Sequence, residues 1–305
     1  MTPDRADRRK GVLLMVGAAL CWSLGGILIR NVRVDDPFEI IAWRSVFMVL
    51  FLTVTVAAMN GGRVVAGVRG MGLAGAVSGT LLASTFFFFI LSITRTTAAN
   101  TFILMATVPF FVAVFGMIFL GERVPGRTWI AMTVALAGIV VMVADGVGAG
   151  HLGGNLLALG VPVAAGLNVV LLRRQRQRVD MVPAVLVAGL ISIVVAAPLA
   201  WPLTATWADL GLLAVLGFVQ LGLGCVLMTL ATRHLQASEI GLLALLETIL
   251  GPLWVWLGVG ERPTDLALAG GLVVLGALAS DIVPGLRGRA ARAAHAEAPS
   301  SAAAD

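Results

Sequence analysis

FLGERVPGRTWIAMTVALAG at residues 119–138 recurs in outline as GVGERPTDLALAGGLVVLG at residues 258–276. Gly121-Glu122-Arg123 is answered by Gly260-Glu261-Arg262; with one residue dropped after the arginine, Pro125 meets Pro263, Ala131 meets Ala269 and Gly138 meets Gly276. The offset is 139 residues and then 138, nearly half of the 305-residue chain. Each copy closes one apolar segment and opens another. Five membrane-length apolar segments fall in each half, and an odd number forces the second copy to enter a bilayer upside down. Inverted repeats of this kind point to a transporter.

Composition identifies the solvent. Hydrophobic residues make up 59% of the chain, charged residues 12%, and mean hydropathy is +1.00. Soluble domains use roughly 45–50% apolar and 25% charged residues. In a hydrocarbon core backbone polar groups must pair internally, so apolar runs of about 20 residues read as helices. Candidate spans lie near 11–30, 38–59, 71–93, 98–120, 128–144, 152–172, 182–200, 209–231, 238–258 and 266–282. The connections, such as Asn60-Gly61-Gly62 and Val124-Pro125-Gly126, are too short for a separate soluble domain. The first run continues to Ile29 without a small-residue cleavage site, and Leu20 before Cys21 does not suit a lipoprotein signal, so it is read as a helix.

Basic residues orient the bundle, because Lys and Arg are retained on the cytoplasmic side. With the N-terminus inside, sixteen of the 21 fall in cytoplasmic segments. Arg30, Arg33, Arg95 and Arg262 fall outside, and Arg44 lies within a span. The expected fold class is therefore all-α integral membrane: ten transmembrane helices as two inverted five-helix repeats around a central cavity. The repeats cover 11–145 and 150–283, after a cytoplasmic segment 1–10 and before a disordered cytoplasmic tail 284–305. Both termini are cytoplasmic. The net charge of +5 reads as topology signal and attraction to anionic lipid, with no nucleic-acid partner. Cys21 and Cys225 both fall within spans and suit small-residue packing better than a disulfide.

A charge at the bilayer centre costs about 2.5–3.5 kcal/mol on insertion scales, so the few present need a reason. Glu247 lies about nine residues, roughly 13 Å, into the ninth span, with Gly251 and Trp254 following on the same face. That stripe suits a ligand-facing wall; a helix-bridging carboxylate is the structural alternative. Arg44 in the second span keeps its charge and needs an acceptor. Glu39, five residues earlier, is poorly placed on the same helix, which leaves carbonyls, another helix, a substrate carboxylate, or snorkelling to the outer surface. Ser23, Ser84, Thr85, Asn100, Asn168 and Gln220 are weaker positions spread over matching spans of both halves, as a cavity at a repeat interface requires. Taken singly, each suits a helix-to-helix hydrogen bond as well. Trp22 beside Ser23 is a candidate wall, and at most two rings of the Phe86–Phe89 run can face a cavity. Pro109, Pro162 and Pro252 are hinge candidates because each removes an intrahelical hydrogen bond.

Enzyme signatures are absent. His151, His234 and His295 fall in loops or tail, and neither His-Glu-x-x-His nor Gly-x-Ser-x-Gly occurs, so no catalytic residue, metal ligand or cofactor is assigned. Gly148, Gly150 and Gly153 match Gly-x-Gly-x-x-Gly, but no strand precedes them, and they read as a turn between spans.

Ala-Leu-Cys-Trp-Ser at 19–23, Trp43-Arg44, Pro109 before a Phe-rich helix, Leu246-Glu247 and the two Gly-Glu-Arg elements together resemble the EamA-like branch of the drug/metabolite transporter superfamily. The resemblance covers residues 11–283 and is nearest to bacterial exporters of amino acids, aromatic ones included. Members often carry Leu-Glu-Pro where this chain has Leu246-Glu247-Thr248, a departure that leaves Pro252 as the kink position. Membership implies a cavity alternately open to each side, in the bacterial inner membrane, for a monomer or homodimer. Members handle amino acids, other metabolites, drugs, sugar phosphates and nucleotide sugars. One cation, one carboxylate and an aromatic wall narrow these to amino acids or similar amphiphilic metabolites. Only Arg44 is available to a phosphate, which disfavours sugar phosphates. Proton-coupled efflux of cationic drugs through Glu247 is the alternative within the class.

Overall fold

The computed structural model describes residues 5–59, 64–148, 150–174, 181–235 and 237–280. Asp281, His295 and the expected tail lie outside the described residues, as does the Asn60-Gly61-Gly62 turn. Among the described residues the chain is helical, without strands. The helices are α1 Arg5–Asn31, α2 Pro37–Met59, α3 Val64–Gly70, α4 Gly72–Ile93, α5 Ala98–Met105, α6 Val108–Leu120 and α7 Gly126–Gly148. There follow α8 Leu152–Arg174, α9 Met181–Leu199, α10 Trp207–Val215, a π-helical segment Leu216–Leu223, α11 Gly224–Ala231 and α12 Ala237–Val259. A final apolar helix, α13, covers Asp265–Ser280.

Eight of these stretches are long and apolar enough to cross a membrane, counting α5 with α6 and α10 through α11 as one each. The fifth and tenth expected spans correspond to α7 and α13, whose described apolar stretches are Gly126–Val141 and Asp265–Ser280. Residues 5–10, expected to precede the first span, are helical and continuous with it in α1. The short α3 was not expected either; its seven residues include Arg69 and form a step between α2 and α4.

Local chemistry sets the ends. Gly121 and Gly260, the glycines of the repeated Gly-Glu-Arg, both adopt left-handed backbone, with φ of 67° and 74°. Each follows the last residue of its helix, where an L side chain is strained and glycine is not. The repeated motif is thus a helix stop used twice. Thr206 caps α10 in a reciprocal box with Asp209, and Thr97 caps α5 through Asn100 N–H. Pro109 falls at the start of α6, and the chain breaks between α5 and α6, whereas α8 and α12 run continuously through Pro162 and Pro252.

Packing partners recur in pairs. α1 packs on α12 and α8 packs on α5 and α6; α4 packs on α8 and α1 on the π-helical segment and α11. α2 lies against α9, α4 against α9, and α2 against the π-helical segment. The bundle has a near end, where α1 begins, and a far end, where α1 finishes. One apolar cluster closes the far half, joining Ile29, Ile41, Phe89 and Phe102 to Val161, Leu213 and Val255 from the second half of the chain. In the near half the core divides. One cluster binds α2 and α4 to α9, and a separate one, around Met15, Ala18, Ala231 and Leu235, binds α1 to α11.

Candidate functional site

Arg44 stands about 10 Å inside α2 at helical rise, and only 1% of it is exposed. It does not reach for the outer surface. Its guanidinium carbon lies 5.4 Å from the Phe86 ring centroid, a cation–π contact that satisfies the face of the group but none of its N–H bonds. Nε and Nη2 have no hydrogen-bond partner, and the neighbouring Trp43 Nε1 is likewise unpaired. Desolvating a charge costs several kcal/mol unless its donors are satisfied, so this pair of N–H groups is a standing demand for an acceptor.

Glu39 is not that acceptor. It is fully buried near the far end and takes four contacts of 2.8–3.0 Å from Thr204 N and Oγ1 and Ala205 N. Sequence reading left this role unassigned because the donors lie about 165 residues away. Asp209 was missed for the same reason; beyond its capping role it accepts Arg33 N–H at 2.8 Å.

The π-helical segment faces Arg44. Its Gly217 lies so close that an added Cβ would stand 2.6 Å from Arg44 O and 2.7 Å from Met48 N. Wide helical turns of this type collect at functional sites, because they re-aim side chains and loosen the backbone ladder. Here the segment carries Gln220 inward: its Nε2 reaches Trp22 O at 3.4 Å, while Oε1 is buried and unpaired. Directly after it, Gly224 leaves room for the Trp22 indole beside the Cys225 thiol. Cys225 lies within electrostatic reach of both Arg44 and Glu247. That thiol belongs to α11, the helix that follows the π-helical segment.

Glu247 on α12 is half-buried and makes no hydrogen bond or ion pair among the described residues. Seven residues on, Trp254 donates to Ser23 Oγ at 3.0 Å, tying α12 to α1. Ser23 in turn donates to Leu20 O. Trp22, Ser23, Arg44, Gln220, Glu247 and Trp254 therefore gather around α1, α2, the π-helical segment, α11 and α12. The remaining candidates lie elsewhere. Asn100 joins Asn155 at 3.1 Å, which also accepts Thr96 Oγ1, a buried bridge from α5 to α8 near the far end. Ser84 and Thr85 spend their hydroxyls on carbonyls of their own helix. Asn168 is buried in α8 with Oδ1 unpaired. No group of three His, Cys, Asp or Glu side chains that could hold a metal forms among the described residues.

This arrangement offers one fixed cation, one free carboxylate and two indoles from α1 and α12, which suits holding a small dipolar molecule. The comparisons agree in class. The chain matches the EamA-like transporter family over residues 9–144 and again over 152–280. It is 29% identical over 277 residues to the pseudopaline exporter CntI of Pseudomonas aeruginosa (strain UCBPP-PA14), covering 88% of this chain and 94% of that one. An uncharacterized transporter of Vibrio cholerae serotype O1 is 26% identical, over 96% of this chain and 99% of that one. A protein crystal structure superposes with a TM-score of 0.66 at 17% identity, over 92% of this chain and 99% of that one, which supports the fold alone. The chain belongs to the EamA-like transporter family and is a multi-pass membrane transporter of small molecules, not an enzyme.

Proposed function

We propose that the protein exports amino acids, or amphiphilic metabolites built on the same carboxylate and amine chemistry, from the cytoplasm across a bacterial inner membrane. The observation that carries this is Arg44: a fully buried guanidinium with two unpaired N–H donors, within electrostatic reach of the same thiol as an unpaired Glu247. A substrate carboxylate would complete the first and an ammonium the second, with Trp22 and Trp254 against the apolar part. Exchange of partners replaces two desolvation costs by two charge-assisted pairs, so binding gains from atoms that are otherwise unsatisfied. Similarity to a pseudopaline exporter supports outward movement of a small metabolite.

The architecture we propose is ten helices in two inverted halves, 11–145 and 150–283, with both termini in the cytoplasm and the near end of the bundle facing it. The excess of arginine in near-end segments and the twofold match of the family model support it. Pro109, where the helix breaks, is the hinge best placed to let the halves rock; Pro162 and Pro252 lie in unbroken helices. Asn100 and Asn168 then act on helix spacing, and Ser84 and Thr85 on the local backbone.

Flux of a panel of amino acids into and out of proteoliposomes tests the assignment. Transport of at least one zwitterionic substrate is expected; no flux of any, beside a control transporter active in the same preparation, would sink it. The unpaired, half-buried Glu247 also favours proton coupling, since a carboxylate without a cation can exchange a proton for substrate. In that case Glu247→Gln loses gradient-driven accumulation while keeping equilibrative exchange. A fully gradient-driven variant excludes the coupling role.

A further inference from the structure

The two glutamates of the repeated Gly-Glu-Arg make sharply different contacts. Glu261 is a clamp at the far end. Its Oε2 takes Arg30 Nε at 2.7 Å, and its Oε1 takes Ala98 N–H at 2.8 Å, at the N-terminus of α5. Arg30 also donates Nη2 to Thr96 O at 2.9 Å. One carboxylate thereby fastens the loop after α12 to the last turn of α1 and the first turn of α5, above the apolar cluster that closes the far half. Both partners are only 25% exposed, so solvent screening is reduced.

Glu122 occupies the same place in the first copy and the opposite end of the bundle. It meets Arg173, in the last turn of α8, at 3.4 Å, with the two side chains 47% and 48% exposed. Its carboxylate lies back over Gly116 of the preceding helix α6. The sequence supplies the missing half of the comparison. The 139-residue offset that carries Glu122 onto Glu261 carries Ala98, the first residue of α5, onto Ala237, the first residue of α12. It likewise carries Thr96, whose carbonyl Arg30 holds, onto Leu235. Arg30 and Arg173 end the first long helix of their halves.

We propose that Glu261 and Glu122 are reciprocal gate latches. Glu261 holds the far end shut in the conformation seen here. In the opposite conformation Glu122 takes the Ala237 N–H, and Arg173 takes Leu235 O, to shut the near end. A carboxylate at a helix N-terminus is favoured by the unpaired N–H groups and the dipole, and each latch is made only as the other is released. Substrate binding then shifts a balance between two contacts of like chemistry, which is the condition for cycling without a deep trap on either side.

Hydrogen–deuterium exchange on the full chain in lipid nanodiscs reads both ends at once. Glu261→Gln should speed exchange over residues 96–100 on the order of tenfold, as loss of a charge-assisted hydrogen bond implies, and slow it over 237–241. Glu122→Gln should leave the far end unchanged or slower. The double variant should restore the balance toward that of the unaltered protein. Faster exchange at both ends in Glu261→Gln, or no change at either, overturns the latch. So does a Glu122→Gln protein whose far end opens. A merely structural glutamate would loosen its own end without tightening the other, even in a variant that folds poorly. The inference rests on the alternating-access reading above. Flux with unchanged exchange in both variants refutes the latches alone, and reciprocal exchange without amino-acid flux refutes the substrate assignment alone.

Discussion

Arg44 shows how little of a residue's role follows from its identity. A guanidinium cannot shed its proton to escape a dry site, so what surrounds its N–H groups decides its function. Here an aromatic face is supplied and hydrogen-bond acceptors at Nε and Nη2 are withheld. Arg44→Gln is expected to raise the half-saturating concentration of a carboxylate-bearing substrate at least about tenfold, worth about 1.4 kcal/mol. A carboxamide analogue should lose much less; equal losses in proteoliposome flux would instead mark Arg44 as scaffold. Glu39, also buried and charged, has the opposite environment, with every contact supplied by Thr204 and Ala205. Glu39→Gln should cost about 1.5–3 kcal/mol of stability and leave substrate discrimination alone. Thermal unfolding in detergent, read beside flux, separates the two. The sequence marked Arg44 and Glu247 as outliers because polarity inside a span is rare. It did not mark Glu39, since a carboxylate near a helix end is ordinary and its donors are remote in the chain.

Among elements, the helix stops were the most legible and the π-helical segment the least. Gly-Glu-Arg could be read as a boundary because a left-handed cap needs glycine and because the motif recurs. Nothing in Leu216–Leu223 announces an extra residue per turn; Gly217, Gly222 and Gly224 read equally well as close-packing glycines. The two kinds of glycine should respond differently to alanine. Gly121→Ala and Gly260→Ala meet no atom within 4 Å and carry only the left-handed penalty, about 1–2 kcal/mol. Gly217→Ala strikes backbone of α2 at Arg44 and Met48, atoms that cannot swing aside. It is expected to cost about 1–3 kcal/mol or more, and also to impair transport in the protein that still folds, because it displaces the element opposite Arg44. Matched melting and flux measurements on the three variants decide this. A Gly217→Ala protein with unaltered transport would remove the π-helical segment from the site. The break between α5 and α6 was half legible: Pro109 implied a kink, while Thr107 and the full separation into two helices followed from packing.

At the scale of the whole molecule the two ends are unequal. Three residues on one face of α12 make the point. Val255 is buried in the far cluster, and Thr248, seven residues nearer the cytoplasmic end we propose, is also buried. Gly241, seven residues nearer again, faces the same way, yet a Cβ there would meet nothing within 4 Å. Residues 239–247 are all half-buried, whereas the far half sets buried Thr248, Gly251 and Val255 against exposed Ile249, Trp256 and Leu257, so the near half of α12 lacks the tightly packed face of the far half. Together with the divided near-end core and the single far-end cluster, this favours our reading of a bundle closed at the far end and parted at the near end. A membrane-impermeant maleimide should therefore label Gly241→Cys from the near side, in a protein freed of Cys21 and Cys225. It should leave Ile29→Cys, 4% exposed within the far cluster, unlabelled from the far side. Adding Glu261→Gln should expose Ile29→Cys to the far side as the latch opens. Labelling of Ile29→Cys before that substitution would contradict the resting state described here, and failure to label Gly241→Cys would mean that α12 faces lipid where we place the path.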